Sequence, residues 1–329
     1  MNQRIEISQT GSPDVMQLVS LDLPEPAPDE VRLRHEAIGV NYVDIYHRSG
    51  VYPVPLPSGL GMEATGRIEA VGSAVQGYAV GDRVAYGNAG PGSYATARNV
   101  KADLLVPVPV PDGIEAADVV SFLFKGLTAY MLMTKMKRPT SDEPVLVQAA
   151  AGGVGLVLTK WLTSLGIPVI GVVSNEEKAR LVKEMGAHGV IVAANEGDMA
   201  GVPAKVRAIA PRGVPIVYDG TGASTFRASL ASLAPFGLLI SFGNAGGVVP
   251  PVDIGELGRM GSLGIQRPSL FTMMADARER KEASQAVFAA FKENRIPAHI
   301  HAKLPLHEAA EAHRILESRK SMGSIVLIP

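Results

Sequence analysis

The 329-residue chain contains no cysteine at all. Disulfide bonds, cysteine nucleophiles and thiolate metal sites are therefore excluded. Neither sign of charge is in excess, because 31 basic residues face 32 acidic ones and leave a formal net charge of −1. Such a balance gives no electrostatic reason to expect nucleic acid or an acidic membrane as a partner.

Long apolar stretches are also lacking. No stretch approaches the ~18 residues that a membrane span needs, and the start MNQRIEISQTGSP is polar, without the apolar segment of a signal peptide. Hydrophobic residues make up 47% of the chain and charged residues 19%, which is typical of a globular enzyme. We expect a cytoplasmic protein with roughly two domains.

Two regions with different patterns follow each other along the chain. In the first ~120 residues, short strands such as 30–34 and 66–71 are separated by Gly, Pro and Asp turns, which predicts mainly β structure. The proline-rich stretch 106–113 closes this region, and a helix is predicted over 114–129.

From about residue 144, strands alternate with helices, which predicts right-handed parallel crossovers and a doubly wound α/β sheet. The predicted strands are 144–148, 167–173, 189–192, 215–219 and 238–242. The predicted helices between them are 153–165, 176–185, 199–210 and 224–233. After residue 250 the pattern predicts helices around 276–294 and 306–318 and a last strand over 324–328.

The stretch QAAAGGVG follows the first strand of this series and opens a helix. Gly152 and Gly155 match the second and third glycines of a G-x-G-x-x-G turn, with Ala150 in place of the first. Bare backbone lets a pyrophosphate approach the N–H groups of the helix N-terminus. The alternative is a ligand-free turn in which small residues only allow tight packing. The residues predicted to bind a dinucleotide here are Gly152, Gly153, Val154 and Gly155.

The tip of the second strand indicates which dinucleotide. NAD sites usually place Asp or Glu there to hold the ribose diol, whereas this chain has Ser174, with Lys178 one turn into the next helix. A hydroxyl and a cation suit a 2′-phosphate, so we expect NADPH as the cofactor. The alternative is a helix cap, with Ser174 as N-cap and Glu176 and Glu177 in the first turn.

The chain also carries a series of short motifs in a fixed order. They are Gly39–Tyr46 (GVNYVDIY), Arg48–Pro53 (RSGVYP), Gly59–Gly66 (GLGMEATG), Lys125–Tyr130 (KGLTAY), Ala149–Gly155, Ser241–Asn244 (SFGN), Arg267–Ser269 (RPS) and Glu317–Arg319 (ESR). Together they resemble the zinc-free quinone oxidoreductases, the zeta-crystallin-like branch of the medium-chain dehydrogenase/reductase superfamily.

This resemblance implies the domain organisation. A GroES-like, mainly-β catalytic domain would be formed by residues 1–125 and completed by a return segment, 266–329. An NADP-binding Rossmann domain would occupy residues 126–265. The cofactor would lie in the cleft between the domains, and two chains would form a homodimer through the edge of the Rossmann sheet.

Zinc-dependent relatives carry Cys in a Gly-Val-Cys-His motif, His in Gly-His-Glu, and a further Cys near the start of the Rossmann domain. Here Asn41 and Met62 stand at the first two positions, and the third falls near Phe124 or Lys125. None is a plausible zinc ligand, so we expect no metal. Without a Lewis acid an alcohol is difficult to oxidise, whereas a quinone or activated enone remains easy to reduce.

The resemblance further implies roles for individual residues. The expected catalytic residues, lining the nicotinamide and substrate pocket, are Asn41, Tyr46 and Tyr52; the alternative for the two tyrosines is plain packing. The expected cofactor contacts are Asn41, Thr128, Gly152, Gly153, Val154, Gly155, Ser174, Lys178, Phe242, Gly243, Asn244 and Arg319. Relatives often place a Tyr at the adenine end, where this chain has Ala193, so adenine packing departs from the family pattern.

Two other pairs have structural explanations that we favour. Asp44 and Glu63 have the chemistry for acid–base work, but quinone reduction needs no strong base, and we interpret them as structural ions. His299 and His301 share one face of a strand at a spacing that suits a metal. With no third ligand in the pattern, we interpret them as a solvated strand face.

The leading hypothesis is an NADPH-dependent, zinc-independent quinone oxidoreductase that acts on a small-molecule quinone or activated carbonyl. One alternative is a reductase of conjugated alkenals, enones or enoyl thioesters, because the same hydride geometry serves a β-carbon. A second is a non-enzymatic NADPH-binding protein, structural or RNA-binding. The net charge of −1 and the lack of a basic stripe weigh against RNA.

Overall fold

The computed structural model describes residues 2–106 and 113–329. The proline-rich stretch predicted to close the first region therefore lies, over 107–112, outside the described residues. The chain divides into two compact units. The first unit comprises residues 1–124, 274–288 and 298–329, and the second comprises 125–273 and 289–297.

The described strands are β1 Asn2–Ile7, β2 Gln17–Leu21, β3 Glu30–Val40, β4 Ser58–Gly59, β5 Glu63–Val71, β6 Arg83–Gly87, β7 Ala97–Lys101, β8 Val145–Val147, β9 Val169–Val173, β10 Gly189–Val192, β11 Val214–Asp219, β12 Leu233–Ser241, β13 Gly264–Gln266, β14 Ile300–Pro305 and β15 Ser324–Ile328. The described helices are α1 Tyr42–Ser49, α2 Ala116–Thr134, α3 Gly153–Ser164, α4 Glu176–Glu184, α5 Glu196–Ile209, α6 Ala223–Ala231, α7 Ile254–Arg259, α8 Leu270–Ala275, α9 Ala277–Lys292 and α10 Ala309–Glu317.

The first unit is built on a sheet with the strand order β14-β15-β3-β5-β6, to which β7 adds by pairing with β3. The pairs are antiparallel except β14 with β15. Strands β2, β1 and β4 form a second, antiparallel sheet. Side chains from both sheets share one core, because alternate residues of each strand point to the same face. That core includes Ile5, Ile7, Leu33, Ile38 and Ile68.

One helix interrupts this β-rich region, where only strands were predicted. Helix α1 begins after Asn41, whose backbone is extended (φ −133°, ψ 156°) as at an N-cap. Asp44 Oδ2 accepts a hydrogen bond from the Asn41 N–H at 2.8 Å, and Gly50 ends the helix with a φ of 84°. The prediction of β structure is therefore wrong over Tyr42–Ser49, because the capping residues outweigh the β-branched and aromatic residues between them.

The second unit confirms the predicted doubly wound sheet. Its strands run in the order β10-β9-β8-β11-β12-β13, and every neighbouring pair is parallel. Numbered within the unit, this order is 3-2-1-4-5-6, that of a dinucleotide-binding Rossmann sheet. The order reverses between β8 and β11, so a ligand is expected at the carboxyl ends of those two strands.

Helix α2 corrects the expectation that no stretch is long and apolar enough to span a bilayer. Among the described residues this 19-residue helix meets that criterion by length and composition. However, 83% of its most apolar 18-residue window is buried inside the protein. The core helix of a folded domain has the same properties, and α2 contributes fully buried residues such as Phe122, Leu123 and Leu127.

Candidate active site

The glycine turn joins β8 to α3 at the carboxyl end of the parallel sheet. Ala149 turns the chain with a left-handed backbone (φ 49°), and Gly152 is the N-cap of α3. A Cβ atom on Gly155 would overlap the Ala149 carbonyl oxygen, whereas one on Gly152 would lie 3.2 Å from that oxygen. Packing therefore requires Gly155, while Gly152 leaves backbone bare beside the free N–H groups of the first helical turn. This geometry fits a pyrophosphate.

The tip of β9 carries Ser174 and the start of α4. The N-cap of α4 is Asn175, whose side chain accepts a hydrogen bond from the Lys178 N–H at 2.9 Å. The alternative that Ser174 caps this helix is therefore wrong, and its exposed hydroxyl is not used for capping. Lys178 is only 8% exposed, and burial lowers the pKa of its ammonium group. A partly desolvated cation at this position gains more from an anionic ligand than a hydrated one does.

A buried carboxylate lies at the carboxyl end of β11, next to the point where the strand order of the sheet reverses. Asp219 ends β11, is 1% exposed, and accepts hydrogen bonds from the Thr221 and Gly222 N–H groups at 2.8 and 3.1 Å. The Ser229 hydroxyl donates to Asp219 at 2.7 Å and accepts from Gln148 Nε2 at 3.1 Å. The ends of β8 and β11 are thus linked through polar groups. Our sequence reasoning missed this network, although polar residues at the ends of two apolar strands were a usable signal.

The loop after β12, residues 242–244, is held by backbone contacts and by the side chain of Arg267. The Phe242 N–H donates to the Asp219 carbonyl at 2.8 Å, and a Cβ atom on Gly243 would overlap the Gly220 carbonyl oxygen. Arg267 Nη1 donates to the Gly243 carbonyl at 3.0 Å, and Arg267 Nη2 donates to the Asn244 side-chain oxygen at 3.2 Å. Arg267 was noticed only as part of a motif, and its bracing of this loop was not predicted.

In the first unit, Asn41 is held by two buried carboxylates. Its Nδ2 donates to Glu63 Oε2 at 2.7 Å and to the Gly39 carbonyl at 3.4 Å. Its backbone N–H donates to Asp44, and both Glu63 and Asp44 are 0% exposed. This agrees with a structural role for the two acids. Because a carboxylate accepts hydrogen bonds, the Asn41 side-chain oxygen is turned away from Glu63.

Tyr46 is part of α1, and Tyr52 lies against it just beyond the end of that helix. Their ring centroids are 5.0 Å apart in an edge-to-face arrangement, and the Tyr52 N–H donates to the Tyr46 carbonyl at 3.0 Å. Tyr46 is 8% exposed, whereas Tyr52 is half-buried. The His47 ring lies 6.3 Å from that of Tyr52, and burial lowers the pKa of His47. Of the two predicted tyrosines, Tyr46 is thus in the helix that Asn41 caps, and Tyr52 packs against Tyr46.

The remaining predicted residues lie in different parts of the chain. Thr128 is 8% exposed on α2, in the second unit. Arg319 follows α10 in the first unit with a left-handed backbone (φ 57°). Burial raises the pKa of the Tyr42 hydroxyl, and the positive charge of Arg319 opposes that rise.

The positions that hold zinc in zinc-dependent relatives have no ligand chemistry here. Met62 is buried at 1% exposure, and Asn41 donates a hydrogen bond to Glu63. Across residues 2–106 and 113–329, no group of three or more His, Cys, Asp or Glu side chains is arranged to hold a metal ion. The pair His299 and His301 therefore has no third ligand among the described residues.

Comparison with known families matches both units. The family described as "Alcohol dehydrogenase GroES-like domain" matches residues 27–110. The family described as "Zinc-binding dehydrogenase" matches residues 153–286.

Individual relatives match over the full length. A quinone oxidoreductase of Pseudomonas aeruginosa is 41% identical, with 100% of both chains covered. A 2-haloacrylate reductase of Burkholderia is 37% identical, with 98% of each chain covered. The solved structure of Escherichia coli quinone oxidoreductase complexed with NADPH superimposes with a TM-score of 0.94 at 39% identity, covering 99% of this chain and 100% of that one. The chain therefore belongs to the quinone oxidoreductase branch of the medium-chain dehydrogenase/reductase superfamily.

Proposed function

We propose that the protein is an NADPH-dependent, zinc-independent quinone oxidoreductase. The observation that carries this proposal is the tip of β9, where Ser174 stands in place of the usual carboxylate, is exposed and does not cap α4, while Lys178 lies one turn into that helix. A carboxylate there would repel a 2′-phosphate, whereas a hydroxyl and a cation attract it. The NADPH complex of the Escherichia coli relative supports the same assignment.

The residues of the second unit fit the nucleotide. The bare backbone at Gly152 and the N–H groups of Gly153, Val154 and Gly155 would hold the pyrophosphate. Ser174 and Lys178 would hold the 2′-phosphate. Thr128 would contact the ribose on the nicotinamide side. The braced loop Phe242, Gly243 and Asn244 would run beside the nicotinamide ring.

When bound, NADPH supplies the hydride that reduces the acceptor. The chain has to orient the acceptor and provide a proton for the oxygen that becomes negative. Both N–H bonds of the Asn41 side chain are directed at Glu63 and Gly39, so this amide is not the donor to that oxygen. We therefore assign the proton to the Tyr46 hydroxyl, the Tyr52 hydroxyl or water, and Asn41 offers an acceptor oxygen that suits an amide or hydroxyl of the cofactor.

A second candidate function is the reduction of conjugated carbonyl compounds. It is favoured by one observation, the full-length similarity to a 2-haloacrylate reductase, whose substrate class carries an activated carbon–carbon double bond. The same tyrosine pair would then donate its proton to an enolate. A non-enzymatic role in NADPH binding is a third candidate.

The test compares acceptors side by side. The purified protein is mixed with NADPH and a panel of ortho- and para-quinones, small enones and 2-haloacrylate, with and without a strong zinc chelator. We expect quinones to stimulate NADPH oxidation most, with no effect of the chelator. Faster turnover of the enones would favour the second candidate. NADPH binding without oxidation by any acceptor would overturn the enzyme assignment.

We further propose that the protein is a cytoplasmic homodimer that pairs through the edge of its Rossmann sheet. Among the described residues β13 pairs only with β12, so its outer edge can accept another strand. Val248 and Ile254, which precede β13 in the chain, are 63% and 82% exposed. Sedimentation should give twice the 34.6 kDa of one chain, and a monomer at micromolar concentration would contradict this proposal.

A further inference from the structure

A chain of buried hydrogen bonds leads away from Asn41 inside the first unit. The Asn41 N–H donates to Asp44 Oδ2 at 2.8 Å, and Tyr94 Oη lies 3.0 Å from the same oxygen. Tyr94 Oη also lies 3.0 Å from His313 Nε2. Asp44, Tyr94 and His313 are each 0% exposed, so this chain of hydrogen bonds is shielded from bulk solvent.

The outer end of this chain is an ion pair. Arg48 Nη1 lies 3.3 Å from His313 Nδ1, and the guanidinium donates to both oxygens of Glu317 at 3.0 and 2.7 Å. Arg48 Nε donates to the Gly11 carbonyl at 3.1 Å. The Arg48 side chain is 3% exposed, whereas that of Glu317 is 36% exposed. Glu317 therefore connects the buried chain to the protein surface.

The donor inventory fixes the direction of every bond in the chain. An arginine can only donate, so His313 Nδ1 must be the acceptor from Arg48. The neutral imidazole then carries its proton on Nε2 and donates it to Tyr94 Oη. The Tyr94 hydroxyl consequently donates its own proton to Asp44. Every hydrogen bond in the chain is therefore donated in the direction of Asp44. Asp44 accepts the last of them from Tyr94 and a further one from the Asn41 N–H.

We propose that Arg48, His313 and Tyr94 are positioning residues for Asn41: the Arg48–Glu317 pair selects the Nε2–H tautomer of His313, which directs the Tyr94 hydroxyl onto Asp44 and so holds Asn41 in place. The effect on turnover rests on the proposed function, because it requires that Asn41 acts in the reaction. The directions of the hydrogen bonds do not depend on it. Burial, and then the charge of Arg48, lower the pKa of His313 to about 3, so its ring stays neutral near pH 7. Burial, and then Asp44, raise the pKa of Tyr94 well above its usual value.

The first experiment is a double-mutant cycle on kcat with quinone and NADPH. Tyr94→Phe should lower kcat roughly five- to tenfold, the rate equivalent of about one hydrogen bond. In an Asn41→Ala background the same change should have no further effect, because Tyr94 acts through Asn41. If the two losses multiply in the double variant, the proposed coupling is wrong.

Tyr86→Phe is the matched control for this cycle. Tyr86 is also 0% exposed, and its hydroxyl contacts the buried His35 Nε2 at 3.0 Å and Ser93 Oγ at 2.9 Å. It therefore removes an equivalent buried hydroxyl without touching the chain that leads to Asn41. Tyr86→Phe should lower the urea midpoint of unfolding about as much as Tyr94→Phe does. Its kcat should stay within twofold of wild type. A loss of kcat equal to that of Tyr94→Phe would overturn the specific role of Tyr94.

The second experiment does not depend on activity. Ring ¹⁵N shifts of histidine should show His313 as the Nε2–H tautomer at pH 7, with Nδ1 unprotonated. The signal is assigned by its loss in His313→Gln or, if that variant does not fold, by its shift in Tyr94→Phe. An Nδ1–H or doubly protonated ring would overturn the proposal. If wild type turned over no acceptor, the proposed function would fail while the tautomer measurement still tested the network.

Discussion

Glu63 Oε2 lies 2.7 Å from Asn41 Nδ2, at a position where Glu63 is 0% and Asn41 only 7% exposed. The second Glu63 oxygen accepts from the Phe124 N–H at 3.3 Å. A buried carboxylate with these two partners orients the Asn41 amide, which agrees with the structural role that we favour for Glu63. The resemblance to the family identified Asn41, whereas only the structure shows what holds it.

Gly39→Ala should displace Glu63. An added Cβ atom would lie 2.5 Å from Glu63 Cδ and 2.7 Å from Oε2, so the buried carboxylate must shift. We expect kcat with quinone to fall at least tenfold, at a stability cost of about 1–3 kcal/mol from overpacking. Steady-state kinetics and urea unfolding measure the two effects.

The control is Gly201→Ala in α5, where an added Cβ atom has no atom within 4 Å. That change should leave kcat unaltered and add up to about 1 kcal/mol of stability, because alanine is the better helix former. Unchanged activity in Gly39→Ala would show that the Glu63–Asn41 contact does not matter to turnover.

Gly155→Ala and Gly152→Ala should separate packing from ligand binding. At Gly155 the new methyl group would overlap the Ala149 carbonyl oxygen, so we expect a large loss of stability. At Gly152 it would lie 3.2 Å from that atom, a close contact that a shift of a few tenths of an ångström relieves, so stability should fall less than in Gly155→Ala while the dissociation constant for NADPH rises about tenfold or more. Thermal unfolding and fluorescence titration distinguish the outcomes. Equal NADPH affinity in wild type and Gly152→Ala would place the nucleotide elsewhere.

Lys178→Ala should raise the Michaelis constant for NADPH far more than that for NADH. Losing a charged hydrogen bond costs about 1.5–3 kcal/mol, which corresponds to roughly ten- to hundredfold in affinity. Lys183→Ala is the matched control, because it removes the same charge from the exposed face of α4. Equal effects of Lys178→Ala on both cofactors would mean that this lysine does not read the 2′-phosphate.

Stability should fall as the pH drops below about 6.5. Burial lowers the pKa of His35 from 6.5 to about 4 and that of His313 to about 3. Between about 6.5 and 4 the unfolded chain therefore binds more protons than the folded one, and unfolding becomes easier by up to about 1.4 kcal/mol per pH unit for each histidine. Urea unfolding at intervals from pH 7.5 to 5 measures the slope.

The variant His35→Asn checks the source of this pH dependence. It removes one titrating group, so its slope between pH 6 and 5 should be shallower than that of wild type by up to about 1.4 kcal/mol per pH unit. His47, whose pKa is also lowered by burial, contributes equally to both proteins. A slope that does not change would assign the effect to other groups.

Local patterns predicted the bounds of one strand in each unit. Strand β10 of the second unit and strand β15 of the first have the predicted bounds, because runs of apolar residues between turn residues determine where a buried strand begins and ends. Helix α5 begins three residues earlier than predicted, since Asn195 caps it. The four-residue cap at Asn41 was overlooked as well, although its spacing was visible in the chain.

The sequence by itself determined the alternation of strands and helices, the glycine turn and the missing carboxylate after β9, because each depends on residues within one or two turns of one another. The tertiary structure alone decided which polar groups meet in the interior. Arg48 and His313 are 265 residues apart, and Gln148 and Ser229 are 81 apart. A buried polar group needs a partner wherever packing places it, and no local pattern records which distant side chain packing will supply.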